Sequence, residues 1–257
     1  MGIVNLTDDS FSGDGLSSDT GGAIAHGLRL IEEGAAILDI GGESSRPGAQ
    51  PVSVQQELDR VLPVIAGLRD CGVPLSVDTL KSEVMRAALA AGADMINDIA
   101  ALQTPGALEA VAGSSAAVCL MHMQGMPRTM QDAPEYVDVV SEVARFLAVR
   151  VAAAEAAGIA RERILVDPGF GFGKTLEHNL ALLRRLGELA MPGIPLLVGL
   201  SRKSMLGQLT GRAAGERVHA SVAAALLALQ RGAAIVRVHD VAATRDAIEI
   251  LNALEDH

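Results

Sequence analysis

Residues 75–98 read LSVDTLKSEVMRAALAAGADMIND, and this stretch contains the repeating unit of the predicted fold. Its two ends, Leu75–Asp78 and Met95–Asn97, are short apolar runs of strand length that each finish in a polar residue. The amphipathic segment between them, Ser82–Ala91, predicts a helix that ends before Gly92, a residue suited to a left-handed cap. A strand, a helix and a second strand in this order predict a right-handed crossover between parallel strands.

The same alternation extends over the whole chain. It predicts six further strands, at Gly2–Asn5, Ala36–Asp39, Ala117–Met121, Ile164–Asp167, Pro195–Gly199 and Ile235–Arg237. Six further helices are predicted at Gly22–Glu33, Val54–Arg69, Val137–Ala157, Glu177–Leu189, Glu216–Arg231 and Thr244–Leu254. Eight strands alternating with helices predict a closed (β/α)8 barrel of the TIM type, formed as a single domain over residues 1–257. An open, doubly wound parallel sheet is the structural alternative.

Composition and charge narrow the class of protein. The chain is 49% hydrophobic but has only four Phe, one Tyr and no Trp, so its core must be aliphatic, as in buried parallel strands. A formal net charge of -10 argues against a nucleic-acid partner or an anionic membrane surface. No apolar run is long enough to span a bilayer. Cys71 and Cys119 lie far apart and form no CxxC pair, which predicts reduced thiols in a cytoplasmic protein.

Polar side chains recur where the predicted strands end. The positions are Asn5, Asp39, Asp78, Asn97, His122, Asp167, Ser201, Lys203, Arg237 and His239. One such residue is ordinarily a helix cap or a turn former. Their recurrence after nearly every strand is harder to explain by capping. In a parallel barrel these ends meet at one mouth, where barrel active sites lie, so we predict a single polar site there.

One part of this set suits a flat heterocycle. Asp78, Asn97 and Asp167 supply carboxylate and amide oxygens, and Lys203 supplies a cation. Carboxylates that accept from the N–H and NH2 groups of a ring make charge-assisted hydrogen bonds, which is how a guanine-like edge is recognised.

The other part suits phosphate. Arg46, Arg237 and His239 are cationic donors for phosphate oxygens. Asn5 offers a neutral oxygen to a hydrated Mg2+ that substrate phosphates already hold. The two parts together predict a phosphorylated heterocycle as the ligand.

The glycine-rich segment Asp167–Thr175 invites a nucleotide-binding interpretation, which its spacing does not support. A Walker A loop requires glycine where this chain has Pro168, and the third glycine of a dinucleotide fingerprint would fall at Lys174. We interpret the segment as a turn that presents Asp167 and places Phe172 at the barrel mouth.

Two further interpretations are weak. Met121–Pro127 has one His and several thioethers but no second His or Cys at ligand spacing, so zinc or copper is not favoured. Lys203 stands beside Arg202 with no evident partner for Schiff-base chemistry.

Ser204 is at a predicted helix N-terminus, where its hydroxyl and the following N–H groups suit a carboxylate.

These segments together resemble those of the dihydropteroate synthases, in the same order along the whole chain. They are MGIVNLT (1–7), DSFS (9–12), DIGGESSRPG (39–48), VDT (77–79), NDI (97–99), MH (121–122), DPGFGFGK (167–174), SRKS (201–204) and RVHD (237–240). The resemblance implies an enzyme that joins 6-hydroxymethyl-7,8-dihydropterin pyrophosphate to 4-aminobenzoate, yielding 7,8-dihydropteroate and pyrophosphate for folate biosynthesis. It also implies dependence on Mg2+, inhibition by sulfonamides and a cytoplasmic homodimer.

The resemblance also implies residue roles. Asp78, Asn97, Met121, Asp167, Lys203 and Arg237 would hold the pterin. Asn5, Arg46, Arg237 and His239 would hold the pyrophosphate, with Mg2+ at Asn5. Phe11, Ser45, Pro47, Phe172, Lys203 and Ser204 would form the 4-aminobenzoate site. Asp39, Asp14, Lys203, Arg237 and His239 would act in catalysis, with Asp39 near the reacting methylene.

The first loop departs from the family pattern. Asp8 stands where the family usually has Pro, and Gly13-Asp14-Gly15 replaces the usual Asp-Gly-Gly. The loop carboxylate that would steady the metal and a developing cation is thus displaced by one residue, and we assign its role to Asp14.

Two other functions remain as alternatives. A methyltetrahydrofolate:corrinoid methyltransferase resembles the family in its barrel and pterin pocket, but it has no use for a pyrophosphate cluster or for Ser201-Arg202-Lys203 and Arg237-x-His239. A non-catalytic pterin-binding homologue would bind the ring without releasing pyrophosphate.

Overall fold

Eight parallel strands form the centre of the protein in a computed structural model that describes residues 1–7, 19–44 and 49–255. The strands are β1 (Gly2–Asn5), β2 (Leu38–Gly41), β3 (Leu75–Asp78), β4 (Met95–Asp98), β5 (Ala117–Met121), β6 (Ile164–Asp167), β7 (Leu197–Val198) and β8 (Ile235–Val236). The helices are α1 (Thr20–Glu32), α2 (Val54–Leu68), α3 (Ser82–Ala91), α4 (Ala107–Ala112), α5 (Val139–Ala156), α6 (Leu176–Arg184), α7 (Ser204–Thr210), α8 (Val218–Leu229) and α9 (Val241–Glu255). Short 3-10 turns lie at Arg161–Arg163, Leu186–Leu189 and Ala214–Glu216.

The strands close into a barrel. Strands β1 to β6 pair in sequence order, and β7 pairs with β8. The two sheets join at both edges, because the Val166 amide donates to the Pro195 carbonyl at 3.1 Å and the Ile3 amide donates to the Val238 carbonyl at 3.1 Å. A doubly wound sheet would reverse its strand order and leave two open edges. The predicted TIM-type barrel is therefore confirmed.

Alternate strand residues divide the core in two. Outward-facing side chains such as Val4, Ile40 and Val77 are fully buried beneath the helices. Inside the barrel, Met95, Cys119, Leu165 and Leu197 form a second apolar cluster, which plugs the interior below the polar residues. The aliphatic core predicted from composition is present, and it leaves one end of the barrel for polar side chains. Of the helices in the described ranges, none has the length and apolarity needed to cross a membrane.

The second strand shows where the prediction from sequence was wrong. It runs from Leu38 to Gly41 instead of Ala36–Asp39, so Asp39 is inside the strand, in register with Ile3 and Ser76. The apolar run does end at Asp39, which is why the strand was predicted to end there. The carboxylate can nevertheless be buried inside the strand, because a cation far along the chain pairs with it, as described below.

Helix ends differ in smaller ways. Helix α6 ends at Arg184, and Leu186–Leu189 form a separate 3-10 turn, so the single predicted helix over these residues was wrong. Helix α4 was not predicted, and of α7 only the start at Ser204 was predicted, since six and seven residues are too few to display a clear period. The predicted left-handed glycine at the end of α3 is confirmed, because Gly92 has φ of 108°.

Candidate active site

Parallel register brings the first four strand ends to one level of the barrel. Asn5 pairs with Gly41, Gly41 with Asp78, and Asp78 with Asn97. Because Gly41 has no side chain, a gap remains between Asn5 and Asp78 above Asp39. The prediction that polar strand ends share one mouth is thereby confirmed for these strands.

Arg237 connects the eighth strand to this group. Its Nη2 donates to Asp78 Oδ2 at 3.0 Å, and its Nε donates to Asp39 Oδ2 at 2.5 Å. Asn97 Nδ2 also donates to Asp39 Oδ2, at 3.2 Å. The fully buried Asp39 thus accepts two hydrogen bonds on one oxygen, while its Oδ1 has no partner within the described ranges. The oxygens predicted for the ring and a cation predicted for the phosphate therefore lie in direct contact.

Burial changes the acidity of two acceptors. Burial raises the pKa of Asp78 to about 7, although the Arg237 guanidinium opposes the increase. Burial raises the pKa of Asp167 to about 6, opposed by a hydrogen bond from the Gly169 amide and by the charge of Lys203. Both carboxyls titrate near neutral pH, so ligand recognition by them depends on pH.

We expect the affinity for a neutral pterin ring to fall as the pH is lowered from 8 to 5.5. Acceptors for ring N–H groups must be ionised, and Asp78 and Asp167 are ionised above their pKa values of about 7 and 6. Each group that must be ionised weakens binding about tenfold per pH unit below its pKa. Calorimetric titration of the ring at several pH values measures this, and an affinity independent of pH over that range would contradict it.

Part of the predicted 4-aminobenzoate site is also assembled. Lys203 Nζ lies 4.2 Å from the centroid of the Phe172 ring, a cation–π distance. Phe172 is buried among Met121, Met130 and Ile99, and Ser204 is the exposed first residue of α7. The other residues predicted for this region lie outside the described residues, as do two from the phosphate and catalytic sets: Phe11, Asp14, Ser45, Arg46 and Pro47.

His239 is oriented by a partner that had no assigned role. Ser201 Oγ accepts from the His239 backbone amide at 3.2 Å and lies 3.0 Å from His239 Nδ1. The Ser201 hydroxyl thus holds the Nδ1 edge of the imidazole, which turns Nε2 away from Ser201. Arg202, the next residue, makes a two-point ion pair with Asp240 at 3.1 and 2.6 Å. The motif SRK thus orients His239 and joins the loops after β7 and β8.

The glycine-rich loop does not have the backbone of a phosphate cradle. The Gly169 amide donates to Asp167 Oδ1 at 2.7 Å, the Gly171 amide to Asn179 Oδ1 at 2.8 Å, and the Phe172 amide to the Gly169 carbonyl at 3.1 Å. A P-loop needs such amides to face the phosphate. The rejection of a nucleotide-binding loop is supported.

Lys174 is a buried residue that the sequence interpretation left without a role. Its Nζ lies 2.9 Å from His122 Nδ1 and 2.9 Å from each of the Gly169 and Phe172 carbonyl oxygens. Burial lowers the pKa of Lys174 to about 7 and that of His122 to about 3. The glycine spacing does not predict these buried contacts of Lys174. A lysine after such glycines can bind phosphate, as in a P-loop, or point into the protein, and the sequence pattern is the same in both cases.

The donors available for a metal ion are few. Within residues 1–7, 19–44 and 49–255, no three His, Cys, Asp or Glu side chains group together in a way that could hold a metal ion. Asn5 stands at the mouth level on β1, the strand that adjoins the β8 segment carrying Arg237 and His239. One amide oxygen fits Mg2+ that is held mainly by substrate phosphates and water, since Mg2+ usually keeps several waters.

The chain is similar to known proteins both in sequence and in structure. The sequence model for pterin binding enzymes matches residues 1–239. A dihydropteroate synthase of Neisseria meningitidis serogroup B is 58% identical over 99% of this chain and 92% of its own length. The crystal structure of Yersinia pestis dihydropteroate synthase with a sulfonamide drug complex superposes with a TM-score of 0.97 at 50% identity, covering 100% of this chain and 94% of that one. Xanthomonas albilineans dihydropteroate synthase with 4-aminobenzoic acid gives 0.92 at 58% identity, covering 99% and 92%.

Proposed function

This chain belongs to the pterin-binding enzymes and, among them, to the dihydropteroate synthases, and from that premise we propose how its described residues carry out the reaction. The reaction transfers the pterin methylene from pyrophosphate to the amino group of 4-aminobenzoate, giving 7,8-dihydropteroate. One observation supports this most strongly: Arg237 touches both Asp39 and Asp78, which puts the ring acceptors and the leaving-group cation at one end of the barrel.

Ring binding falls to the residues on strands β3, β4 and β6. We assign Asp78 and Asp167 to the N–H and NH2 groups of the pterin and Asn97 to a neighbouring ring atom, with Met121 packing nearby. The apolar plug of the barrel lies beneath them and excludes water from the bottom of the pocket. We assign Lys203, whose Nζ lies 4.2 Å from the centroid of the Phe172 ring, to the boundary between the pterin and the arylamine.

The leaving group falls to the cationic side chains that follow β8 and to Asn5 at the end of β1. Arg237 and His239 stabilise charge that accumulates on the departing pyrophosphate, and Arg46 is assigned to join them from the loop after β2. Mg2+ bound by the pyrophosphate would neutralise further charge, with Asn5 as its protein oxygen. Ser201 holds His239 in position for this task.

Arg237 must change partners during the reaction. In the structure its guanidinium donates to Asp78 Oδ2, an acceptor that we assign to the pterin edge. A guanidinium and a 2-aminopyrimidinone edge present the same pattern of adjacent N–H donors, so the ring displaces Arg237 from Asp78 and releases it toward the pyrophosphate. Asp39 then loses part of its ion pair with Arg237. Its negative charge, together with that of the assigned Asp14, stabilises positive charge on the pterin methylene.

The bond changes balance without a strong base. The carbon–oxygen bond to pyrophosphate breaks with its electron pair on oxygen, and the dihydropterin ring delocalises the positive charge. The amino nitrogen of 4-aminobenzoate then bonds to that carbon and loses its proton to water afterwards. Proton loss after bond formation explains how the site can work without a Ser-His-Asp arrangement.

The decisive experiment is a pyrophosphate-release assay with both substrates, with and without Mg2+. We expect release only when 4-aminobenzoate is present and a large loss on removal of Mg2+, with competition by a sulfonamide for the arylamine site. Pterin binding without release would indicate the non-catalytic alternative. Release that persists in EDTA would refute the metal assignment alone, and release insensitive to sulfonamide would refute the arylamine site.

We also propose that the enzyme acts in the cytoplasm as a homodimer. The reduced thiols Cys71 and Cys119 support the compartment. Apolar side chains exposed on α7, α8 and α9, namely Leu209, Leu227, Ile250 and Leu254, support association through helices. Sedimentation of the purified chain tests the dimer.

A further inference from the structure

Lys174 is the buried cation that the proposed mechanism does not use. Lys174 is only 3% exposed. Its Nζ contacts two different loops at the mouth of the barrel. His122 belongs to the loop after β5, whereas Gly169 and Phe172 belong to the loop after β6. A single ammonium group thus ties these two loops together.

The three acceptors at 2.9 Å match the three N–H donors of an ammonium group, and the His122 carbonyl lies further away at 3.4 Å. Burial keeps His122 neutral, because it lowers the pKa of the imidazole to about 3, so Nδ1 can accept a hydrogen bond from the lysine amine. The other two acceptors are backbone carbonyls at 2.9 Å. Among charged groups, Asp167 attracts the Lys174 cation and Lys203 repels it. Removal of the amine would take from the buried Phe172 carbonyl the donor seen here, whereas the Gly169 carbonyl would still accept from the Phe172 amide.

Backbone contact between the two loops is unusually close at this point. Gly169 and Gly173 have φ of 68° and 62°, and a Cβ on either would collide with the backbone of His122 or Gln124. Other side chains of the β5 loop complete the junction: Tyr136 Oη donates to the Gly173 carbonyl at 2.8 Å. The glycines therefore permit close approach, and Lys174 holds the loops in that approach.

We propose that Lys174 is a positioning residue that fixes the Phe172 ring beside Lys203 for 4-aminobenzoate. Its ammonium holds the Phe172 carbonyl, and the ring of the same residue lies 4.2 Å from Lys203 Nζ. Loss of this hold leaves Asp78 and Asn97 in place on β3 and β4, so the arylamine site is affected more than the ring site. The inference rests on the proposed function only for the identity of the arylamine.

The test compares Lys174→Met with Arg163→Met. Arg163 is a matched control, since it is a partly buried cation at the opposite end of β6 that donates to the Ala116 and Val111 carbonyls at 2.7 and 2.9 Å. Both variants are expected to lose thermal stability. Only Lys174→Met is expected to raise the KM for 4-aminobenzoate, by roughly tenfold or more, with a smaller change in the KM for the pterin substrate.

Hydrogen exchange of the amides at 169–173 supplies a readout that does not need activity. Faster exchange there in Lys174→Met but not in Arg163→Met supports the positioning role, and Lys174→Gln replaces the methionine variant if the latter does not fold. Equal KM values and equal exchange in the two variants would overturn it. If the wild-type chain released no pyrophosphate, the proposed function would fail, while the exchange comparison would still decide whether Lys174 holds the loop.

Discussion

Replacing Arg237 with methionine is expected to lower kcat by roughly 100- to 1,000-fold, because a positioned donor to developing negative charge is lost. The same change removes the only charged partner of Asp39 seen in the described ranges, at a site where the carboxylate is fully buried. Breaking a buried ion pair in this way costs about 3–5 kcal/mol in comparable proteins. Steady-state kinetics and thermal unfolding of the ligand-free protein measure the two effects.

A second substitution separates the two effects of Arg237. Adding Asp39→Asn to Arg237→Met removes the unpaired buried charge, while Asn97 can still donate to the remaining side-chain oxygen. We therefore expect the double variant to regain most of the lost stability but none of the lost turnover. Recovery of both would mean that Arg237 serves the fold alone, contrary to its assignment to the leaving group.

Affinities for substrate fragments test the change of partners by Arg237. If its guanidinium competes with the ring for Asp78, Arg237→Met binds a pterin without phosphates at least as tightly as the wild type does, but it binds pyrophosphate more weakly. Equal losses for both fragments would show that the guanidinium does not compete for this acceptor.

Sequence reasoning brought the residues that we propose as ring acceptors to one end of the barrel because their signal is local. Asp78, Asn97 and Asp167 each interrupt an apolar run at the last residues of a strand, and parallel strands must deliver such residues to one end. The resulting neighbourhood follows from register alone. No distance between these residues was needed to predict it.

The depth of Asp39 could not be predicted in the same way. A buried carboxylate is stable only with its partner, and Arg237 lies 198 residues further along the chain. Lys174 posed a related difficulty, since most of its acceptors are backbone carbonyls, which have no identity in a sequence. Long-range pairing and backbone acceptors are therefore where the structure added most to the candidate site.

Replacing Asp78 with asparagine is expected to lower kcat/KM for the pterin substrate by roughly 100- to 10,000-fold. An ionised carboxylate accepts two N–H bonds from the ring, each worth about 1.5–3 kcal/mol, whereas an amide presents its own NH2 to one of those donors. The apposed donors then repel, and a buried polar group is left without a partner. Asp78 also loses its ion pair with Arg237, whose second partner Asp39 remains.

The control for this substitution is Asp98→Asn, which changes a carboxylate one residue from Asn97. Asp98 is fully buried, but its oxygens accept from the Ala100 and Leu102 amides at 2.7 Å each, so it stabilises the loop after β4 instead of facing the ring. We expect Asp98→Asn to lower stability and to leave the KM for the pterin substrate unchanged. If Asp78→Asn bound the ring as tightly as Asp98→Asn, the acceptor would have to be another residue, because both variants lose one buried carboxylate charge and only Asp78 faces the site.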